Sequence, residues 1–250
     1  GVGGTGVVTI GAIIGMAAHV ARMGCSVLDM AGLAQKGGAV TSHIILTPQP
    51  DDVTATHIAD GGSDQLLGCD VVSAAAQETR TKLSSQTASV VNTHKMMTGD
   101  FTREPDQNFP LETLLQDIRN SSGGIHTVPA TELAKGVFGE TLTANLIMLG
   151  YAYQCEFLPI PHEAIEKAIE LNGRDVDTNL AAFRLGRETA ADPAKANTLM
   201  GRSRADPDVS SKQLEDELLT RRQGLLRESH GPQVAARLSE WVGRARQSID

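Results

Sequence analysis

Residues Gly1–Gly11 read GVGGTGVVTIG, and this stretch decides the fold. Gly1, Gly3 and Gly6 satisfy G-x-G-x-x-G, a turn that ordinarily joins a β-strand to a helix. The glycines permit a tight turn, a close backbone approach to phosphate and close packing of helix on sheet, and the helix N-terminus attracts an anion. The helix is legible. Thr5 to Met23 carries Val7, Val8, Ile10, Ile13, Ile14, Met16, Ala17 and Val20, apolar nearly all round, with Gly24 as the expected C-cap. No strand stands ahead of the turn, so a truncated start with the first strand missing is expected. By pattern alone three readings stay open. One is a dinucleotide-binding Rossmann fold with Asp29 as the ribose-binding acid. Another is an ATP-binding activating enzyme of the ubiquitin E1 type, suggested by adjacent Gly3 and Gly4, although AGLAQKGGAV stands where those enzymes have an Asp-rich segment. The third is a turn that only packs a helix on a sheet.

Composition narrows the class. With 40% hydrophobic and 21% charged residues over 250 positions, the chain reads as a globular protein with a sizeable core. Aromatics are only 3%, so the core is aliphatic and stacking platforms for single-stranded nucleic acid are not expected. A net charge of -8 argues against a phosphate-backbone binder. No apolar run reaches the roughly 20 residues of a membrane span. No secretory signal opens the chain, and a cytoplasmic location is expected. Cys25, Cys69 and Cys155 form no C-x-x-C pair, which argues against a cluster or structural zinc held by this chain alone.

Downstream, Ser26–Asp29 reads as a short buried strand and Ala39–Thr47, AVTSHIILT, as another. Between them lies Gln35-Lys36-Gly37-Gly38, where two glycines allow close approach and Lys36 can supply a point charge to phosphate; a β-bulge with a solvated lysine fits the spacing equally. Gln65–Cys69 reads as the end of a helix, Asp70–Ala74 as a central parallel strand, and Ala88–Asn92 as the next. Thr93–Pro110 reads as a long loop, Leu111–Asn120 as a helix, and Ile125–Val128 as a last strand, with Thr131 capping the helix after it. TANLIMLGYAYQ, HEAIEKAIELNG and Asp177–Ala191 follow as helices. The expected fold is α/β: a Rossmann-like, mainly parallel sheet flanked by helices, then a helical C-terminal segment. The expected division is a domain over 1–191, a linker over 192–211, and the start of a helical extension over 212–250, where Leu214 to Val242 carry an apolar stripe.

Three segments together, GVGGTGVVTIGAIIGMAAH, VLDMAGLAQKGGAVTSHI and VVNTHKMMTGDFTREPD, resemble the gamma-type domain of 2-oxoacid:ferredoxin oxidoreductases (the pyruvate/ketoisovalerate oxidoreductase catalytic domain), most closely that of the fused indolepyruvate ferredoxin oxidoreductases. LPIPHEAIEKAIELNGRDVDTNLAAFRLGR resembles the helical end of that domain, and the tail resembles the extension that follows it in fused chains. The resemblance implies part of an enzyme that decarboxylates a 2-oxoacid, by family analogy an arylpyruvate, on thiamine diphosphate. Electrons pass through iron–sulfur clusters to ferredoxin, and an acyl-CoA forms. These cofactors, coenzyme A included, are expected on the intact enzyme, and the partners are its thiamine-binding and cluster-bearing domains. The chain alone is expected to be inactive. Site residues implied by the match are Gly1, Gly3, Gly4, Thr5 and Gly6 in the first cluster and Gln35, Lys36, Gly37 and Gly38 in the second. Asn92 and His94 join them from the end of a strand, where open α/β sheets bind ligands. His19, His43 and His57 read as structural, and Asp29 and Asp100 suit turn and cap roles. A free-standing NAD-dependent dehydrogenase and a non-catalytic scaffold with a docking tail remain the alternatives.

Overall fold

The computed structural model describes residues 1–31, 38–95, 109–194 and 198–199. After the glycine turn comes helix α1 (Val7–Val20), then an antiparallel pair, β1 (Gly24–Ala31) with β2 (Val40–Thr47). A parallel sheet follows in the order β3-β4-β5, from β3 (Gln65–Gly68), β4 (Ala88–Asn92) and β5 (Gly124–Val128). Helices α2 (Val71–Ala75) and α3 (Gln77–Arg80) lie between β3 and β4, and α4 (Leu111–Ser121) precedes β5. The chain then turns wholly helical: α5 (Ala130–Phe138), α6 (Ala144–Gln154), α7 (His162–Asn172) and α8 (Val176–Ala191).

The period-2 alternation of β4 explains the layering, because adjacent residues point to opposite faces. Val90 joins one apolar cluster with Ile13, Val128, Ile147 and Phe183, built from α1 and α5 to α8. Val91 joins the other, with Val71, Leu115 and Ile118 from α2 and α4. The parallel sheet is therefore covered on both faces, and the α/β class with flanking helices and a helical C-terminal part is as expected.

Several local expectations are corrected. Gln65–Gly68 is a strand, not a helix end, and the expected strand at Asp70–Ala74 is helix α2. Asp70 caps that helix, its carboxylate accepting from the amides of Val72 at 3.3 Å and Ser73 at 2.8 Å. A stretch as short as VVSAA has no clear period of its own, and the cap outweighs it. Gly24 opens β1 instead of capping α1; the helix ends at Val20, and Arg22 takes the left-handed conformation (φ 60°). β1 is twice the expected length and mostly open to solvent along its second half. Thr131 lies inside α5, whose cap position is Pro129. The loop at 93–110 falls largely on residues 96–108, outside the described ones, as do Gln35, Lys36, Gly37 and the region 200–250.

The helical part depends on one close crossing. A Cβ at Gly150 on α6 would stand 1.9 Å from the carbonyl oxygen of Phe183, and one at Gly186 on α8 would stand 2.0 Å from that of Ile147. Backbone atoms cannot yield as a side chain does, so the two helices must part if either glycine gains a methyl. Gly186→Ala is expected to destabilise the protein by ~3 kcal/mol, the upper end of ordinary overpacking. Thermal unfolding of the variant beside the parent checks this, and an unchanged midpoint would contradict the crossing.

His43, buried on β2, accepts a hydrogen bond at Nδ1 from the Ile58 amide at 3.0 Å, which requires that nitrogen to be unprotonated. Burial above all, then the neighbouring His57 and Lys82, holds its pKa below the ordinary 6.5. The unfolded chain therefore takes up a proton here before the folded one does, and the stability His43 contributes is lost as pH falls below about 6.5. An NMR titration of the ring should show a midpoint under 6.5. A midpoint at or above that value would refute the neutral buried imidazole.

Candidate functional site

At the carboxyl ends of β3 and β4, beside the N-terminus of α1, lies a cleft of about 270 Å³. Gly4, Thr5, Asn92 and His94 line it, so the structure brings together members of two separate sequence predictions. The chain enters α1 through Gly4 (φ 84°) and Gly6 (φ 88°), both in the left-handed region that favours glycine. Gly6 is the cap residue and offers no side chain, so no side-chain oxygen caps the first turn of α1. Thr5 folds back, its hydroxyl donating to the Val2 carbonyl at 2.6 Å, while its own carbonyl accepts from Asn145 Nδ2 at 2.7 Å.

Asn92, the last residue of β4, is buried. Its Nδ2 donates to the Cys69 carbonyl at 3.2 Å and to Thr131 Oγ1 at 2.8 Å, and its Oδ1 accepts from the His94 amide at 3.3 Å. One side chain thus ties the end of β3, the start of α5 and the chain leaving β4. Beside it His94 Nδ1 stands 2.7 Å from Glu132 Oε1. A carboxylate oxygen only accepts, so Nδ1 carries a proton and Nε2 is left for another partner. Glu132 Oε2 is buried without a hydrogen bond in the described structure.

The other predicted residues are placed differently. Gly1 and Gly3 sit on the opposite side of the turn: the Gly1 carbonyl accepts from the Val40 amide at 2.6 Å, and the Gly3 amide donates to the Gly38 carbonyl at 2.8 Å. The first and second glycine clusters therefore meet through backbone at Gly3 and Gly38. Gln35, Lys36 and Gly37 lie outside the described residues. Asp29 accepts from the Ser42 hydroxyl across the β1–β2 pair and does not line the cleft. Sequence reasoning missed Asp70, Thr131 and Asn145 as cleft residues, and Glu132 as the partner of His94. Asn145 carried a signal, an amide inside the apolar run ANLIMLGYAYQ; Glu132 carried none, since an acidic first-turn residue is commonplace.

Chemically the cleft is a hydrogen-bonding surface. Burial pushes the Cys69 thiol up to about 11, so it stays protonated and un-nucleophilic at neutral pH. Asp70 is committed to its helix cap and Glu132 to His94. Among the described residues no three His, Cys, Asp or Glu side chains converge as metal ligands.

The sequence profile of the family described as pyruvate ferredoxin/flavodoxin oxidoreductase matches residues 1–189. The indolepyruvate oxidoreductase subunit IorB of Methanothermobacter thermautotrophicus is 29% identical over 194 residues, 77% of this chain and 95% of that one. The IorB subunit of Archaeoglobus fulgidus is 29% identical over 192 residues, 76% of this chain and 92% of that one. Among solved structures, pyruvate oxidoreductase subunit PORC from Thermotoga maritima has a TM-score of 0.54 at 22% identity, covering 75% of this chain and 92% of that one, a likeness of fold.

Replacing Asn92 tests the architecture of the cleft. Asn92→Ala strips the donor from two buried acceptors and is expected to cost ~1–3 kcal/mol. Urea denaturation of parent and variant measures it, and equal midpoints with equal slopes would show that the amide holds nothing together.

Proposed function

The chain belongs to the pyruvate ferredoxin/flavodoxin oxidoreductase family, and on that premise we propose that it is the gamma-type component of a 2-oxoacid ferredoxin oxidoreductase whose chemistry resides on partner subunits or domains. One observation carries this reading. The IorB relatives align over 92–95% of their own length and are named as subunits, so a polypeptide of this extent works in company. Their names also favour indolepyruvate, an arylpyruvate, as the 2-oxoacid. Decarboxylation on thiamine diphosphate, electron transfer through iron–sulfur clusters to ferredoxin and formation of an acyl-CoA are the reaction proposed for the whole enzyme.

The described residues do not fit a cluster or a metal-bound diphosphate. Cys25 lies on β1, Cys69 just past β3 and Cys155 just past α6, and burial raises all three thiols above their ordinary range, the reverse of what a thiolate ligand needs. Among the described residues no group of acidic and imidazole ligands takes their place. The contribution of this chain is accordingly structural. Its 270 Å³ cleft presents Thr5, Asn92 and His94 at the carboxyl edge of the parallel sheet, the edge at which α/β sheets meet ligands. Held there by backbone and buried side chains, these groups can hydrogen-bond a polar part of a neighbouring subunit or its substrate without reorganising. Gly4, Gly6 and Gly38 shape the approach, and the proposal extends the contact region to Gln35, Lys36 and Gly37, as the sequence resemblance implies. The proposed division is a module over residues 1–191, a linker over 192–211 and the start of a helical extension over 212–250. Among the described residues no helix is long and apolar enough to cross a membrane, and a cytoplasmic enzyme is proposed.

Reconstitution tests the assignment. The purified chain should show no 2-oxoacid-dependent reduction of ferredoxin. Together with thiamine-binding and cluster-bearing partners it should form a stable complex that reduces ferredoxin with indolepyruvate and coenzyme A. Turnover by the chain alone, or failure to associate with any such partner, would refute the reading, and tight binding of NAD would restore the dehydrogenase alternative.

A further inference from the structure

Strand β1 is the outer member of the antiparallel pair: among the described residues its only ladder partner is β2. The bonds of Val40 show which of its backbone groups are spare. Val40 exchanges both hydrogen bonds with Gly1, at 2.6 and 2.8 Å, on the side of β2 away from β1. Ala31, opposite Val40, therefore directs its N–H and C=O away from β2, and by the alternation of an antiparallel ladder so do Asp29, Val27 and Cys25. The usual guards of such an edge are Lys, Pro or a bulge. GCSVLDMA has no Lys or Pro, its register with β2 is unbroken, and its one charge, Asp29, accepts from Ser42.

Helix α1 continues this edge upward. Ile10 and Ile14 share a core cluster with Ile44 and Leu46 of β2. Gly11 and Gly15 face β1, since a Cβ on either would stand 3.3 Å from a Val27 methyl. Next around the helix come Val8, Ala12 and Met16, at i, i+4 and i+8, all exposed, Val8 to 50% and Met16 to 41%. α7 packs on the opposite flank. The apolar stripe therefore stands on the same side as the open edge of β1.

We propose that this edge is a self-association surface, on which β1 pairs antiparallel with β1 of a second copy about a two-fold axis at Leu28. Among two-fold registers this one uses all four outward residues: Cys25 meets Ala31 of the second copy and Val27 meets Asp29, each pair occurring twice. It also keeps Asp29 from lying opposite its own counterpart. With strands about 4.8 Å apart and α1 seated over each β1–β2 pair, the two copies of α1 stand about 10 Å apart, the distance at which helices pack. The shared strip is about 26 Å long and about 20 Å high, or roughly 500 Å² per copy and about 1,000 Å² in all, the size at which specific interfaces begin. The assembly rests on register and helix placement and is independent of the reaction proposed for the whole enzyme.

The full chain tests it. Sedimentation equilibrium should show monomer and dimer in exchange with a micromolar dissociation constant. Ala12→Lys, on the exposed flank, should weaken that dimer at least about tenfold without lowering the melting temperature, because it sets like charges together across the axis. Leu28→Cys should yield a reducible covalent dimer on mild oxidation, since opposed residues of a non-hydrogen-bonded pair lie within disulfide reach. Met30→Cys, which faces Ser26 of the second copy, should link no more than the parent. A monomer at about 100 µM would overturn the proposal. So would a dimer that Ala12→Lys leaves intact, or one that Leu28→Cys links no better than Met30→Cys. Hydrogen-exchange protection of the Cys25, Val27 and Asp29 amides that appears only on adding thiamine-binding subunits would also overturn it, by assigning the edge to a different chain.

Discussion

The pinning of the glycine turn between β2 and α6 is the constraint on which the rest of this molecule depends. Gly1 and Gly3 are hydrogen-bonded to Val40 and Gly38 on one side, and Asn145 from α6 grips the Thr5 carbonyl at 2.7 Å on the other. These bonds fix where α1 starts. They also fix how the antiparallel pair stands relative to the parallel sheet, since β2 and β3 share no ladder among the described residues. Asn145 matters doubly because it is 140 residues away in sequence from Thr5, so a helix of the C-terminal part locks the opening of the chain. A contact of that span costs closure entropy and must be repaid by the packing of α1 on α6 and α7, where Ile10, Ile13, Ile14, Ala17 and Ala18 are buried.

The same device recurs at the other wall of the small cleft. Asn92 reaches three segments with one amide, and each partner is a backbone group or a hydroxyl held in turn by secondary structure. Buried amides satisfied in this way fix geometry more than they add stability, because their net worth in folding is small while their loss leaves acceptors unpaired. The cleft residues therefore stand in fixed positions before anything touches them. Fixed positions suit the contact role proposed for the cleft, and the protonated state of Cys69 removes the obvious nucleophile from the same region.

How much of this could be read from sequence depended on whether local chemistry or distant pairing decided the outcome. The four helices after β5 were legible because their stops are local: Gly139 and Gly173 adopt left-handed C-cap positions, and Pro159 and Pro161 interrupt the run. β4 was legible because ASVVN is short, β-branched and bounded by polar turns. The segment Gln65–Ala75 was misread twice over. QLLG and VVSAA are both short and mostly apolar, and only the Asp70 cap, one carboxylate accepting two amide bonds, says which of them is helix. For the candidate site, Asn92 and His94 lie in the cleft at the carboxyl end of β4, a position that follows from where that strand ends. Glu132 could not be found, since its role is defined by His94, 38 positions away in sequence.

Family membership alters what the glycine motif means. In a dinucleotide-binding fold the acid on the next strand is left free for a ribose, but here Asp29 is occupied by Ser42 across an antiparallel pair. That pairing partner exists only because β1 turns back into β2 instead of crossing over to a parallel neighbour. The glycines keep the property that made the motif recognisable, a left-handed entry into a helix with no side-chain cap on its first turn. The surroundings differ: an asparagine from α6 holds the Thr5 carbonyl, and His94, paired with Glu132, lines the same cleft. G-x-G-x-x-G therefore specifies a backbone shape, and the residues packed around that shape decide what it can meet.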